Sequence, residues 1–305
     1  MRASIDIGSN SILLLTGDFE NGRFFESVNM ARVTGLGRGV DKTGMLSKEG
    51  IEASLDVLRE YKGKLDILEI SPEKTIVTAT EASRVAKNFS EFSQRVKDEL
   101  GLTINLLTAE GEAYYCSRGV NLGDDALFED SLIIDLGGAS TELISFNSKP
   151  FAFKKYISLP MGSVRATEWL AEGSFEKNME EIFKKVDILG FENEEIIGVA
   201  GTVTSLGAMM LGLSTYSDKE VMGKIFEIEF LQDFVRKLEK MPLGEIKRNF
   251  PVAGKRATTI VGGSKVILEI CKILKIQKIF ISTYGLRFGT IIEEEIDPKY
   301  LQKEN

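Results

Sequence analysis

One short pattern occurs twice in this 305-residue chain and limits what it can fold into. Residues 3–15, ASIDIGSNSILLL, and residues 132–144, LIIDLGGASTELI, each run from an apolar strand to an Asp, a turn of Gly and small polar residues, and a second apolar strand. That order is the signature of a β-hairpin. Asp6-Ile7-Gly8-Ser9 and Asp135-Leu136-Gly137-Gly138 stand 129 positions apart, far too long for a solenoid period and suited to two related lobes that each open on the same hairpin. At roughly 150 residues per domain, the length also gives two.

Between and after the hairpins the pattern alternates. Ile51, Leu55, Leu58 and Leu65 fall at helical spacing within 47–68, with Ser47 and Gly50 as a cap signal. Residues 75–79 read as a strand, 91–100 as an amphipathic helix that ends at Gly101, and 103–107 as another strand. Two strand–turn–helix stretches follow at 196–210 and 279–292, and the polar acidic run 121–130, NLGDDALFED, reads as a linker. Strands alternating with helices indicate an α/β protein.

Composition removes several chemistries. The chain has no histidine, so a Ser-His-Asp triad, an HExxH zinc site and an imidazole base are all excluded, and proton transfer falls to carboxylates, Lys or Tyr. With 46 acidic against 38 basic residues, the net charge of −8 disfavours broad adhesion to nucleic acid or an anionic membrane. A polyanionic substrate would need cations gathered locally. Cys116 and Cys271 lie far apart without CxxC spacing, which predicts neither a zinc cluster nor a disulfide framework and fits a reducing cytoplasm. An acid at Asp6 and the lack of 18 uninterrupted apolar residues predict neither export nor membrane spanning.

Several residues could carry chemistry. Gly8, Ser9, Asn10 and Ser11, and likewise Gly137, Gly138, Ala139, Ser140 and Thr141, could aim backbone amides at phosphate oxygens or form ordinary turns; their pairing favours the phosphate reading. Asp6 and Asp135 end apolar strands, where a carboxylate can hold Mg²⁺ or accept hydrogen bonds from its own turn. Glu142 lies just beyond the second turn on a strand, and Arg84 follows a strand in ATEASRVAKN, as a phosphate ligand or on a solvated face. Glu110 and Glu112 in TAEGEA suit a helix start as capping acids, and in a chain without histidine a glutamate beside phosphate is the available base to activate water. Residues 201–205 offer a third backbone turn at a helix start or a close-packed cap, and no Walker A order is present.

Taken in order, IDIGSNS, GLGRGVDKTGML, ATEASRVAKN, TAEGEA, IIDLGGASTEL, SLPMGSVRATE, GVAGTVTSLGAM and STYGLRFG resemble the exopolyphosphatase and guanosine pentaphosphate phosphohydrolase family, a branch of the actin, sugar kinase and Hsp70 ATPase superfamily. The resemblance covers nearly the whole chain. It implies two ribonuclease-H-like, actin-like lobes, 1–122 and 123–288, with an active-site cleft between them and a C-terminal helix over 289–305 packing back on the first lobe. It also implies Mg²⁺-dependent release of terminal phosphate from inorganic polyphosphate or guanosine pentaphosphate, with Mn²⁺ as a substitute metal. Carried over by position, Glu112 matches the catalytic glutamate, and Asp135 and Glu142 match the metal and water-positioning acids, with Asp6 as a further metal ligand. Arg84 and Arg256 match phosphate-binding cations, and Gly8, Ser9, Asn10, Ser11, Gly137, Gly138, Ser140 and Thr141 match the two phosphate loops.

Departures from the family pattern are Gly111 in place of an acid, Ala139 in place of a third glycine, Met222 in place of His, Thr258 in place of Asp, and Phe288 in place of Glu. Ala139 predicts a crowded phosphate approach and Phe288 an altered substrate channel. Longer family members carry a helical C-terminal extension that this sequence does not include. Two other functions stay open at this point, a non-catalytic alarmone or nucleotide sensor and an ATP-dependent small-molecule kinase. Homodimer formation stays open as well.

Overall fold

The computed structural model describes residues 1–20, 23–123, 130–191 and 193–303. Of the expected linker at 121–130, residues 124–129 lie outside the described residues. The chain separates into two compact units, one formed by Met1–Leu122 with Leu286–Asn305 and the other by Gly123–Gly285.

In the first unit, β1 (Arg2–Ile7), β2 (Ser11–Glu20) and β3 (Arg23–Val33) form an antiparallel meander, and β4 (Thr75–Ala79) and β5 (Ile104–Leu106) add in parallel beyond β1. The order is β3-β2-β1-β4-β5. The helix Lys48–Ile67 starts where the Ser47 hydroxyl accepts the Gly50 amide at 3.0 Å, an N-cap that serves an amide the helix itself cannot. Its apolar face buries Leu55, Leu58, Tyr61 and Leu65, and the Tyr61 hydroxyl donates to the Ile12 carbonyl at 2.9 Å, tying helix to sheet. The helix Phe89–Leu100 stops at Gly101, whose φ of 68° places its amide on the Lys97 carbonyl.

The end of the chain differs from the continuous helix expected over 289–305. A short helix, Leu286–Thr290, is followed by a 3-10 turn at Pro298–Tyr300. Pro298 lacks an amide hydrogen and its ring clashes with the preceding turn, so one helix cannot run through 289–305. The short helix packs within the first unit from Leu286 onward, so residues 286–288 do not belong with the second lobe as expected. Thr290 shares a 2.7 Å hydrogen bond with Ser4, and Arg287 donates to the Leu14 carbonyl at 3.1 Å.

The second unit repeats the first. β6 (Asp130–Leu136), β7 (Thr141–Ser148) and β8 (Phe151–Leu159) form the meander, β9 (Glu195–Val199) pairs in parallel with β6, and β10 (Ile225–Glu227) and β11 (Lys278–Ile281) complete the order β10-β11-β9-β6-β7-β8. With β10 as an added edge, this is the strand order of the first unit. The repeat extends to the register, with Ile7 opposite Ile12 and Leu136 opposite Thr141, each pair 129 positions from its counterpart. Even the bulges correspond, falling between Thr16 and Gly17 in one sheet and between Ser145 and Phe146 in the other. The helices Ser163–Glu172, Ala200–Met210, Ile228–Glu239 and Ile260–Leu274 surround a core that includes Ile134, Leu143, Val203, Leu206, Ile267 and Ile270. The α/β fold with two ribonuclease-H-like units is therefore what the chain adopts. Among the described residues no helix is long and apolar enough to cross a membrane.

Candidate active site

The two hairpin turns close identically. The Gly8 amide donates to the Ser11 carbonyl at 3.0 Å, and the Gly137 amide to the Ser140 carbonyl at 3.0 Å. A Cβ on either glycine would stand 3.2 Å from that carbonyl oxygen, so a larger residue would press the turn open. In the first turn the Ser9 carbonyl accepts from Gly37 at 2.7 Å, and the Asn10 carbonyl from Thr34 and Gly35, both at 3.0 Å. In the second, the Gly137 and Gly138 carbonyls take the first amides of the helix Ser163–Glu172, from Ser163 at 2.9 Å and Val164 at 2.8 Å. That helix start is thereby satisfied from within the protein. Several carbonyls of both turns are thus taken up by neighbouring segments.

Two glycines that the sequence reading did not single out as site residues make these turns fit. Gly37 lies on Ser9, where an added Cβ would be 2.8 Å from the serine Cβ. Gly162 lies on the peptide after Gly138, where an added Cβ would be 2.4 Å from the carbonyl carbon. Arg165 is a third omission: it is buried and donates to the Ala139 carbonyl at 2.6 Å. Their signal is spacing from the turns, which becomes readable only once the packing is known. Thr141, expected among the phosphate ligands, is fully buried with its hydroxyl donating to the Met161 carbonyl, so its side chain secures the turn.

Within the first unit the structure joins two of the predicted residues directly. Arg84, on the short helix Glu81–Val85, donates from Nη1 to Glu112 Oε2 at 2.9 Å and to the Leu107 carbonyl at 3.0 Å. Its Nη2 and Nε reach Glu81 Oε2 at 2.9 and 3.2 Å. The Arg84 and Glu112 side chains are only 9% and 11% exposed, which replaces the solvated-face reading of Arg84. Capping of the helix Ala109–Gly123 belongs to Thr108, whose hydroxyl accepts the Gly111 amide at 3.0 Å and whose carbonyl accepts the Glu112 amide at 3.0 Å. The Glu112 carboxylate is thus directed to Arg84. Asp6 sits on β1 opposite Leu13 and beside Thr78 of β4.

In the second unit, Asp135, Glu142 and Ser158 form one row across β6, β7 and β8. Directly opposed residues of antiparallel strands share a face, and two carboxylates so placed repel one another. Glu142 is 1% exposed and accepts the Ser158 hydroxyl at 2.7 Å. A divalent cation would offset the repulsion, and oxygen-only donors suit Mg²⁺ or Mn²⁺, which commonly take one or two protein carboxylates and complete their shell with water and phosphate. The residues therefore fit the metal that the resemblance implies. Among the described residues no three His, Cys, Asp or Glu side chains converge on one metal position.

The third turn carries strain. Ala200 has φ of 69°, a left-handed conformation that costs about 1–2 kcal/mol for a residue with a Cβ. Next to it, Arg256 lies across Gly201, where an added Cβ would be 2.3 Å from Nε. Gly201 is the residue that admits the guanidinium. Of the remaining departures, Phe288 is 2% exposed and packs edge-on against Phe24 with ring centres 5.8 Å apart, so it is a core residue of the first unit and not a channel lining. Met222 accepts the Thr283 amide at 3.3 Å through sulfur, and Thr258 caps its own turn by donating to the Lys255 carbonyl at 3.0 Å.

The sequence profile of the Ppx/GppA phosphatase family matches residues 21–297. The chain belongs to that family. It is 31% identical to a bifunctional 3-dehydroquinate synthase/phosphatase of Fusobacterium nucleatum, over 96% of this chain and 46% of the relative. It is 28% identical to a guanosine-5'-triphosphate,3'-diphosphate pyrophosphatase of Vibrio vulnificus, over 96% of this chain and 59% of the relative. This Ppx/GppA chain thus spans about half the length of the curated relatives it matches. Among solved structures, an Aquifex aeolicus Ppx/GppA family member is 30% identical, with a TM-score of 0.77 over 95% of both chains. An exopolyphosphatase from Cytophaga hutchinsonii, 23% identical, shares the fold with a TM-score of 0.83 over 95% of this chain and 96% of its own.

Proposed function

We propose that this Ppx/GppA protein hydrolyses a terminal phosphoanhydride bond of inorganic polyphosphate or of guanosine pentaphosphate and releases orthophosphate. The observation that carries the reading is the Arg84–Glu112 contact, a phosphate-type cation 2.9 Å from a carboxylate in a chain that has no histidine. Arg84 would bind a terminal phosphate oxygen in exchange for its bond to Glu112, because a phosphate, like a carboxylate, offers a pair of anionic oxygens to the guanidinium fork. The released carboxylate would accept a proton from water as the water oxygen bonds to the terminal phosphorus. The bridging P–O bond breaks with its electron pair on the departing phosphate, and that oxygen takes up the proton. The products are a chain one phosphate shorter and orthophosphate.

Each glycine turn would offer amides to phosphate oxygens and Arg256 a further cation, the kind of local positive charge a polyanion needs in an acidic protein. Asp135 and Glu142 would hold Mg²⁺, which when bound neutralises charge on phosphate oxygens. Orthophosphate release from polyphosphate, guanosine pentaphosphate and ATP, each with Mg²⁺ and with EDTA, tests the reading. Release from one of the first two substrates that stops in EDTA and returns with Mg²⁺ or Mn²⁺ is the expected result. Tight binding of guanosine pentaphosphate without phosphate release would instead indicate the sensor function, and undiminished activity in excess chelator would remove Asp135 and Glu142 from metal binding.

A further inference from the structure

The helix turn that carries Glu112 is covered by the 3-10 turn Pro298–Tyr300 and the residues that follow it. The Tyr300 carbonyl accepts the Thr108 amide at 2.8 Å and the Thr108 hydroxyl at 3.2 Å, on the residue that caps the Glu112 helix. The Gln302 amide reaches the Leu106 carbonyl at 2.8 Å, and Leu107 pairs with Leu301 in an antiparallel bridge. Side chains reinforce the contact: Tyr300 stacks on Tyr114 with ring centres 4.5 Å apart and meets Tyr115 edge-on at 5.5 Å. The Tyr115 hydroxyl accepts the Asp297 amide at 3.0 Å. At the centre of this seat is Gly111, the residue before Glu112. A Cβ there would stand 2.7 Å from the Tyr300 Cβ and 2.8 Å from the Tyr300 carbonyl oxygen, so only glycine lets the two segments meet.

We propose that Tyr300 is a positioning residue for Glu112, a role that rests on the reading of Glu112 as the base. Tyr300 occupies the side-chain space of Gly111 and anchors Thr108, so it fixes the backbone on both sides of the turn from which the Glu112 carboxylate reaches Arg84. The ring, stacked on Tyr114 and edge-on to Tyr115, holds the Tyr300 backbone on Thr108; truncating it leaves that carbonyl unsupported and lets the turn shift, and displacements of about 1 Å at a reacting group are enough to cost orders of magnitude in rate.

Phosphate release and the ¹³C carboxyl resonance of Glu112 are to be measured for the full chain and for Tyr300→Ala, Tyr300→Phe and Gly111→Ala. Tyr300→Ala and Gly111→Ala are expected to lower kcat about tenfold or more with KM within about twofold, and to shift the Glu112 resonance away from its ion-paired position. Tyr300→Phe, which keeps the ring and the backbone contacts, is expected to retain both. Folded Tyr300→Ala with wild-type kcat overturns the proposal, whether or not the resonance moves. Should Tyr300→Ala fail to fold, Gly111→Ala decides in the same way. If the wild-type chain releases no phosphate from any substrate, the proposed reaction fails, and the resonance alone then decides positioning: a shift in Tyr300→Ala that is absent in Tyr300→Phe supports it, and an unmoved resonance overturns it.

Discussion

An arginine that donates to two carboxylates and a carbonyl cannot be removed without consequences for all of them. Arg84→Ala would leave Glu112, and with it Glu81, nearly buried and stripped of its guanidinium, a change that typically costs about 3–5 kcal/mol for a buried pair. Because both carboxylates keep some exposure, the lower end of that range is expected, read as a fall in the urea midpoint at unchanged m. Arg84→Lys retains the charge without the fork and is expected to keep most of the stability while raising KM, so it separates phosphate binding from folding. Wild-type KM in Arg84→Lys would remove the phosphate role. The sequence made Glu112 legible as an acid in a helix start of a histidine-free chain, and made Arg84 legible as a cation after a strand. Their contact was not legible, since they are 28 positions apart on different elements and no local pattern links them.

At the scale of elements, the hairpins are the part of the fold most readable in advance. Asp, Gly and small polar residues between apolar runs specify strand–turn–strand from local chemistry alone, and the 129-residue offset carries that reading to the second unit. What supports the turns was not readable, because Gly37 and Gly162 act through close approach to a distant backbone. The helix expected over 289–305 fails for a local reason, Pro298, that apolar spacing does not register. Gly162→Ala tests the support directly. A Cβ 2.4 Å from the Gly138 carbonyl carbon must push backbone against backbone, and overpacking of this kind typically costs about 1–3 kcal/mol. The expected outcome is a lower melting temperature together with raised KM; a variant with unchanged KM would detach the residue 137–141 turn from substrate binding.

For the whole molecule, two units share one strand order, one register and one bulge position, yet their chemistry has diverged. Position 13 is Leu opposite Asp6, whereas its counterpart 129 residues later is Glu142 opposite Asp135. The carboxylate pair suited to a metal is therefore a property of the second unit, and the Arg84–Glu112 pair a property of the first. The two units thus keep one register and differ in their polar rows, as expected where fold and site are specified by different residues. In the proposed reaction Glu112 activates the attacking water. The most direct test of that role is orthophosphate release by Glu112→Gln beside wild type, at saturating polyphosphate or guanosine pentaphosphate with Mg²⁺. The substitution keeps the shape and a hydrogen-bond acceptor toward Arg84 while removing the basic carboxylate. A folded protein is expected whose kcat falls by about 10²–10⁴ with substrate affinity retained; near-wild-type kcat in Glu112→Gln would pass the role to Glu110 or Glu142.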